Sequence, residues 1–374
     1  MPLSKIVANS ITDDTITTDQ IADTSVHGRR NLLINGAYQV FQRTAAATTA
    51  TTTYTTADRW IPYESTDGAM TTEQSSDHPF SGFSLKAQVT TADSSIGAAQ
   101  FCYIFQKIEA QNLQHLLYGT SSAKPLTLSF YVKSNKTGTY TINLHKGDNT
   151  AYNYVQEYTI SSANTWEKKT ITISPTAGST SLITSSAGAI NNDTGAGLEI
   201  GFGLAWGSDF NTTANTWVAA NDYSTTNQVN WMDSTSNNFY LTEVQLEVGE
   251  VSNPVFEHRS FNEELILCQR YYQKFPKQCV FVGTHSSGGA WQFPVKTEFR
   301  AQPTVINNDT SPYWENSPWI SAGTSLSGFN VNISSGHCNQ TGGDVQFTGT
   351  WNPTIVTNKL QLVRTEAVAA HAEL

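Results

Sequence analysis

The chain has 374 residues and a formal net charge of −10, with charged residues at only 14% against about 25% in ordinary globular proteins. Its surface must therefore be coated with Thr, Ser, Asn and Gly, which favours strands and turns over helices. The acidic balance without a basic stripe argues against binding to nucleic acid, and no apolar run is long enough for membrane insertion.

A single core rarely grows past roughly 250 residues, so two domains plus an appendage are expected. No apolar signal core follows Met1-Pro2-Leu3-Ser4-Lys5, which implies folding in a cytoplasm. Cys102, Cys268, Cys279 and Cys338 form no CxxC pair and have no His at zinc-ligand spacing. They read as free thiols in a reducing compartment, not as a metal site or a disulfide framework.

Within residues 1–30, Ile6, Ile11, Ile16, Ile21 and Val26 fall every five residues among Thr, Asp, Asn, Ser and Gln. That period matches neither a helix nor a flat strand. One apolar residue in five cannot make a core for one chain, whereas three chains wound together place each Ile layer on a common axis. Composition alone would suit a disordered tail; the unbroken register favours a trimeric stem that ends at His27-Gly28-Arg29-Arg30.

Residues 31–260 read as a jelly-roll β-sandwich. Asn31 to Gly36 is a short apolar run with a turn, and a low-complexity loop from Thr44 to Thr56 leads to Asp58-Arg59-Trp60. Strict alternation places Leu126, Leu128, Phe130 and Val132 on one strand face, Tyr140, Ile142 and Leu144 on a second, and Leu198, Ile200, Phe202, Leu204 and Trp206 on a third. Turn signals at 136–138 and 146–149 separate these runs. Residues 212–238 read as a long loop.

Residues 261–374 begin with a short helix, with Asn262 as N-cap, Leu265, Cys268 and Tyr272 on one face, and Pro276 as its stop. Strand-like runs follow around 280–282, 290–295 and 344–351, which makes a small C-terminal β domain and an all-β fold with one linking helix.

The runs Asn31-Leu32-Leu33-Ile34-Asn35-Gly36, Gln39 to Arg43, Asp58-Arg59-Trp60 and Leu126 to Lys133, closed by Leu241 to Gly249 and Pro254 to Arg259, resemble the carbohydrate-binding-module-like sandwich of phage tail-fibre and related virion proteins. Leu267 to Tyr272, Phe299 to Val305 and His371-Ala372-Glu373-Leu374 are similar to the small β domain that follows it in many phage fibres. The resemblance implies a homotrimeric bacteriophage tail-fibre subunit. It would assemble in the bacterial host cytoplasm, attach to the virion through residues 1–30 and recognise host cell-surface polysaccharide. A head-fibre or capsid-decoration protein without receptor binding shares the same signature.

No carboxylate pair can be matched by motif, as sugar hydrolysis needs. Glu243 and Glu247 alternate with apolar residues, which an outward solvated face explains. His115, His145 and His285 have no Ser or Cys partner at GxSxG spacing and read as polar surface residues. Asn191, Asn192 and Asp193 read as a plain turn rather than a calcium site. No catalytic residue, metal or cofactor is therefore expected. Tyr313, Trp314 and Trp319 sit in a Pro-bracketed loop and suit either the C–H faces of a sugar or a neighbouring chain. The same two readings apply to Trp217, Tyr223 and Trp231.

Overall fold

The computed structural model describes residues 30–46, 53–250, 256–274, 296–301 and 372–374, and the backbone of further short strands at 48–49 and between 278 and 371. The pentads Ile6 to Val26 lie outside the described residues.

Twelve strands form a sandwich. They are β1 (Thr48–Thr49), β2 (Ile61–Ser65), β3 (Ala69–Ser75), β4 (Ser84–Thr91), β5 (Phe101–Glu109) and β6 (Leu126–Ser134), then β7 (Gly138–Lys146), β8 (Tyr152–Ile160), β9 (Glu167–Ile173), β10 (Ala196–Trp206), β11 (Thr216–Val218) and β12 (Asn238–Val248). One sheet runs β1-β3-β4-β12-β6-β9, the other β11-β8-β7-β10-β5-β2, with antiparallel pairing throughout.

Alternation drives this assembly. Leu126, Leu128, Phe130 and Val132 of β6, Tyr140, Ile142 and Leu144 of β7, and Leu198, Ile200 and Phe202 of β10 are almost fully buried between the sheets. Each such side chain contributes roughly 1.5–3 kcal/mol on leaving water. The Phe130 and Phe202 rings meet edge to face at 5.0 Å, and Trp60 stands against Tyr38 at 5.2 Å and Phe202 at 6.2 Å.

Several expectations are corrected here. Trp217 and Trp231 are 1% and 0% exposed. Their indole N–H groups donate to Ser174 O at 2.9 Å and Asn238 O at 3.2 Å. Segment 212–238 thus tucks two rings into the core, and neither offers a face to a ligand. Glu243 and Glu247 are buried, not solvated: His78 lies 3.7 Å from the Glu243 carboxylate, and Gln245 donates to Glu247 at 2.7 Å. Glu243 sits at a bulge between Thr242 and Gln245 with φ of 48°, and Glu247 pairs with Arg30 at 3.3 Å.

The helix α1 (Phe261–Gln269) is capped by Ser260 and not Asn262: the Ser260 hydroxyl and the Glu263 carboxylate each reach back to the other's backbone N–H, a capping box. It ends well before Pro276, because β13 (Tyr272–Lys274) begins there, so Tyr272 is a strand residue. Cys268 and Tyr271 pack on Ile34 and Val40, with Leu374 joining them.

The remaining strands are β14 (Gln278–His285), β15 (Gly288–Phe293), β16 (Thr304–Asn307), β17 (Tyr313–Trp314), β18 (Phe329–Asn332), β19 (Cys338–Asn339), β20 (Gly342–Gly349), β21 (Leu360–Arg364) and β22 (Val368–His371). They pair as β13-β22-β16 and as β17-β21-β14-β15-β20-β18, with β19 beside β20.

Candidate functional site

Strand β5 is apolar on both faces. Cys102, Ile104 and Ile108 enter the core, which leaves Phe101, Tyr103, Phe105 and Lys107 on the outer face of the second sheet. Register sets what stands beside them. Tyr63 of β2 lies opposite Tyr103. Across β10, Glu199 is opposite Lys107, Gly201 opposite Phe105 and Gly203 opposite Tyr103. On its other edge β10 meets β7, with Glu199 facing His145, Gly201 facing Asn143 and Gly203 facing Thr141. Asn153 of β8 then follows His145.

Trp206 joins this face because of a bulge. The β10 register shifts between Gly203 and Ala205, so that Ala205 pairs with Cys102 and Trp206 with Phe101. One extra residue reverses the alternation. Leu204 and Ala205 are both buried in the core, while Trp206 emerges outside, opposite to the expectation that grouped it with Leu198 and Phe202. There it stacks on Tyr223 at 5.2 Å and 6°, lies 5.0 Å from Tyr103 and 5.5 Å from Phe101, and meets Phe210 at 5.0 Å.

The glycines below let the rings lie low on the sheet. A Cβ on Gly203 would stand 2.4 Å from Trp206 Nε1, and one on Gly201 would stand 3.1 Å from the Tyr103 ring and 2.3 Å from Asn143 Oδ1.

The polar groups of the face are incompletely paired. Asn143 is 1% exposed, yet neither its Oδ1 nor its Nδ2 has a partner among the described residues, and the Trp206 Nε1–H is likewise unpartnered there. Leaving such groups unmet costs about 1–3 kcal/mol each. Burial pushes the Glu199 carboxyl up to about 7, opposed by the Lys107 charge and the neighbouring Tyr103 hydroxyl. The His145 imidazole is held below its ordinary value by burial, and by Lys107 and Lys146, against a hydrogen bond with Asn153. A cleft of about 220 Å³ opens here, lined by Lys107, His145, Gly147, Ala196, Leu198 and Glu199.

Of the residues singled out from the sequence, Tyr223 stands in this patch and His145 in the cleft, where it is built in and not a plain surface group. Tyr313 and Trp314 fall on β17, of which only the backbone is described, and Trp319 lies outside the described residues. His285 is likewise placed only as backbone on β14, and His115 is exposed in the 3₁₀ turn Ala110–Leu116. Asp193 caps its own turn, accepting from Gly195 N at 2.7 Å. Cys102 and Cys268 are buried free thiols; the side chains of Cys279 and Cys338 are outside the described residues. Sequence reading missed Tyr103, Asn143, Glu199 and Trp206. The aromatic run Phe101-Cys102-Tyr103-Ile104-Phe105 and the Gly201-x-Gly203 spacing were the signals available.

No family model matches the chain, and no curated protein matches it. Among solved structures it is similar to the enzymatically active domain of tailspike protein 4 of bacteriophage CBA120, at 12% identity over 58% of this chain and TM-score 0.29. The chain spans 21% of that tailspike. It is also similar to a family 11 carbohydrate-binding module from Clostridium thermocellum, solved with a mixed-linked tetrasaccharide, at 14% identity, 52% of this chain, 91% of that one and TM-score 0.28. A tandem of two family 22 modules from Paenibacillus barcinonensis covers 94% of this chain and 91% of its own, at 9% identity and TM-score 0.29.

Proposed function

We propose that this chain is a subunit of a homotrimeric bacteriophage tail fibre, attached to the virion through residues 1–30, whose jelly roll binds a host-surface glycan on the outer face of its second sheet. The observation that carries glycan binding is the coincidence of the Trp206–Tyr223 stack with the Lys107, His145 and Glu199 side chains of the adjoining cleft. Sugars supply both complements, C–H faces for the rings and hydroxyls for the polar walls. The loop of Tyr313, Trp314 and Trp319 is proposed as a second contact. Three copies joined by the Ile pentads turn weak individual sites into avidity.

The proposed role is binding without cleavage. Hydrolysis needs two carboxylates flanking one bond, and among the described residues Glu199 is the only carboxylate lining the cleft. Glu109, further along β5, is engaged by Arg270 at 2.7 Å and by the Tyr271 hydroxyl at 2.9 Å. A second reading rests on the same pentads: a head-fibre or capsid-decoration subunit whose aromatic face is covered by a neighbouring protein.

Light scattering of the purified chain at low micromolar concentration is expected to give three copies, and a clean monomer sinks the fibre reading. Tyr223→Ala is expected to abolish adsorption of the trimer to host cells with a small change in melting temperature. Unchanged adsorption would favour the decoration reading, which immunolabelling of virions at head or tail then checks.

A further inference from the structure

Resting on that glycan-binding reading, we infer that the cleft between Lys107, Glu199 and His145 is the specificity subsite of the face and takes an uncharged vicinal diol of one sugar ring. At about 220 Å³ the cleft is smaller than the roughly 300–1,000 Å³ pockets that enclose drug-sized ligands. It therefore admits a single ring, with the rest of the chain left to the aromatic stack.

Asn153 Nδ2 donates to Ala220 O at 2.5 Å, so its Oδ1 is the atom that faces His145 Nδ1 at 2.9 Å. His145 Nδ1 then carries the proton, and Nε2 of the neutral ring is an acceptor. Nε2 is 2.8 Å from where a Cβ of Gly147 would stand, so this glycine leaves the imidazole edge uncovered. The Glu199 carboxylate lies beside the Tyr103 hydroxyl and keeps acceptor capacity toward the cleft. The Lys107 ammonium lies 6.0 Å from the Phe105 ring centre and makes no hydrogen bond or ion pair among the described residues. Lys146, the other cation near His145, is turned away, bonded to the carbonyls of Asp148, Thr150 and Ala187.

The cleft thus offers two acceptors and one cationic donor. Adjacent hydroxyls satisfy this set: one O–H donates to Glu199, its neighbour donates to His145 Nε2, and either oxygen accepts from Lys107. A sugar carboxylate would add acceptors beside Glu199 and leave both wall acceptors unmet.

The test uses the full-length trimer and immobilised bacterial polysaccharides, neutral or containing uronic acids, at pH 7.5, before and after periodate cleavage of vicinal diols. Retention on neutral polysaccharide is expected to fall about tenfold or more in Glu199→Gln, as for a lost hydrogen bond to a charged group, and to vanish after periodate. Tyr223→Ala is expected to weaken all retention. Retention lost in Tyr223→Ala but unchanged in Glu199→Gln overturns the subsite alone, as does a preference for uronic acids. If the wild type retains no polysaccharide, the glycan-binding reading falls and the subsite with it.

Discussion

Burial strips water from the Glu199 carboxyl and lifts it from its ordinary 4.5 to about 7. Between those values the folded chain binds more protons at this residue than the unfolded chain does. Its contribution to stability is therefore full below about pH 4.5, declines as pH rises to about 7, and stays low above that. Glu199→Gln removes the slope. The variant is expected to match the wild type near pH 4.5 and to exceed it at pH 8 by on the order of 2 kcal/mol in urea melts. Asp58, pushed up to about 6 by burial, slopes the same way in both proteins and cancels in the difference. Equal differences at both pH values would mean that the carboxyl is solvated. At this scale the sequence was a poor guide: an aromatic in a Thr- and Asn-rich stretch looks alike whether it is core, as Trp217 and Trp231 are, or patch, as Tyr223 is. Local context says nothing about which face a tertiary fold will close.

At the scale of elements, alternation was legible wherever it was uninterrupted, and β6, β7 and the first half of β10 match their expected faces. It failed at two places for physical reasons. Strand β5 is apolar on both sides because its outer face carries its own cluster, so it has no period to read. The β10 bulge inverted Trp206, and period-two reading cannot see an inserted residue. The helix N-cap was misplaced by two residues because Asn262 and Ser260 are both good caps, and only Ser260 has Glu three positions on. Gly203 tests the patch as a built surface. In Gly203→Ala the new methyl meets Trp206 Nε1 at 2.4 Å and Thr141 Oγ1 at 2.6 Å, so the indole must lift from the sheet and break its stack on Tyr223. A stability loss of about 1–3 kcal/mol is expected from the overpacking, with loss of near-ultraviolet circular dichroism from the stack and of glycan retention. Unchanged dichroism and retention would show that Trp206 does not depend on lying over a glycine.

At the scale of the whole molecule, the last residues of the chain are tied into the jelly roll. Arg59 is 1% exposed; its guanidinium lies 3.5 Å over the Tyr271 ring, donates to Lys107 O at 2.8 Å and pairs with the Glu373 carboxylate. The other oxygen of that carboxylate takes Arg43 at 2.8 Å, and Arg300 donates to the carbonyls of Ala372 and Glu373, each at 2.9 Å. None of this was legible beforehand, since Arg59 and Glu373 are 314 residues apart and ion pairs at such separation leave no local pattern. The ending His371-Ala372-Glu373-Leu374 resembles that of a fibre domain, but its link through Arg59 to the strand β5 backbone leaves no sequence pattern. Removing one partner of a buried pair strands the other charge, at a cost of about 3–5 kcal/mol, whereas replacing both by apolar groups is often neutral. Glu373→Gln is therefore expected to lower the stability of the jelly roll by a few kcal/mol. Arg59→Met combined with Glu373→Gln is expected to recover part of that loss, as a coupling energy in a double-mutant cycle. Because the same guanidinium donates to Lys107 O, the double variant, which removes it, should weaken glycan retention more than the single variant, while both keep Arg59-independent contacts such as the Tyr223 stack. Strictly additive losses in the cycle would mean that Arg59 and Glu373 are each satisfied by water, and that the end of the chain rests on the jelly roll without holding it.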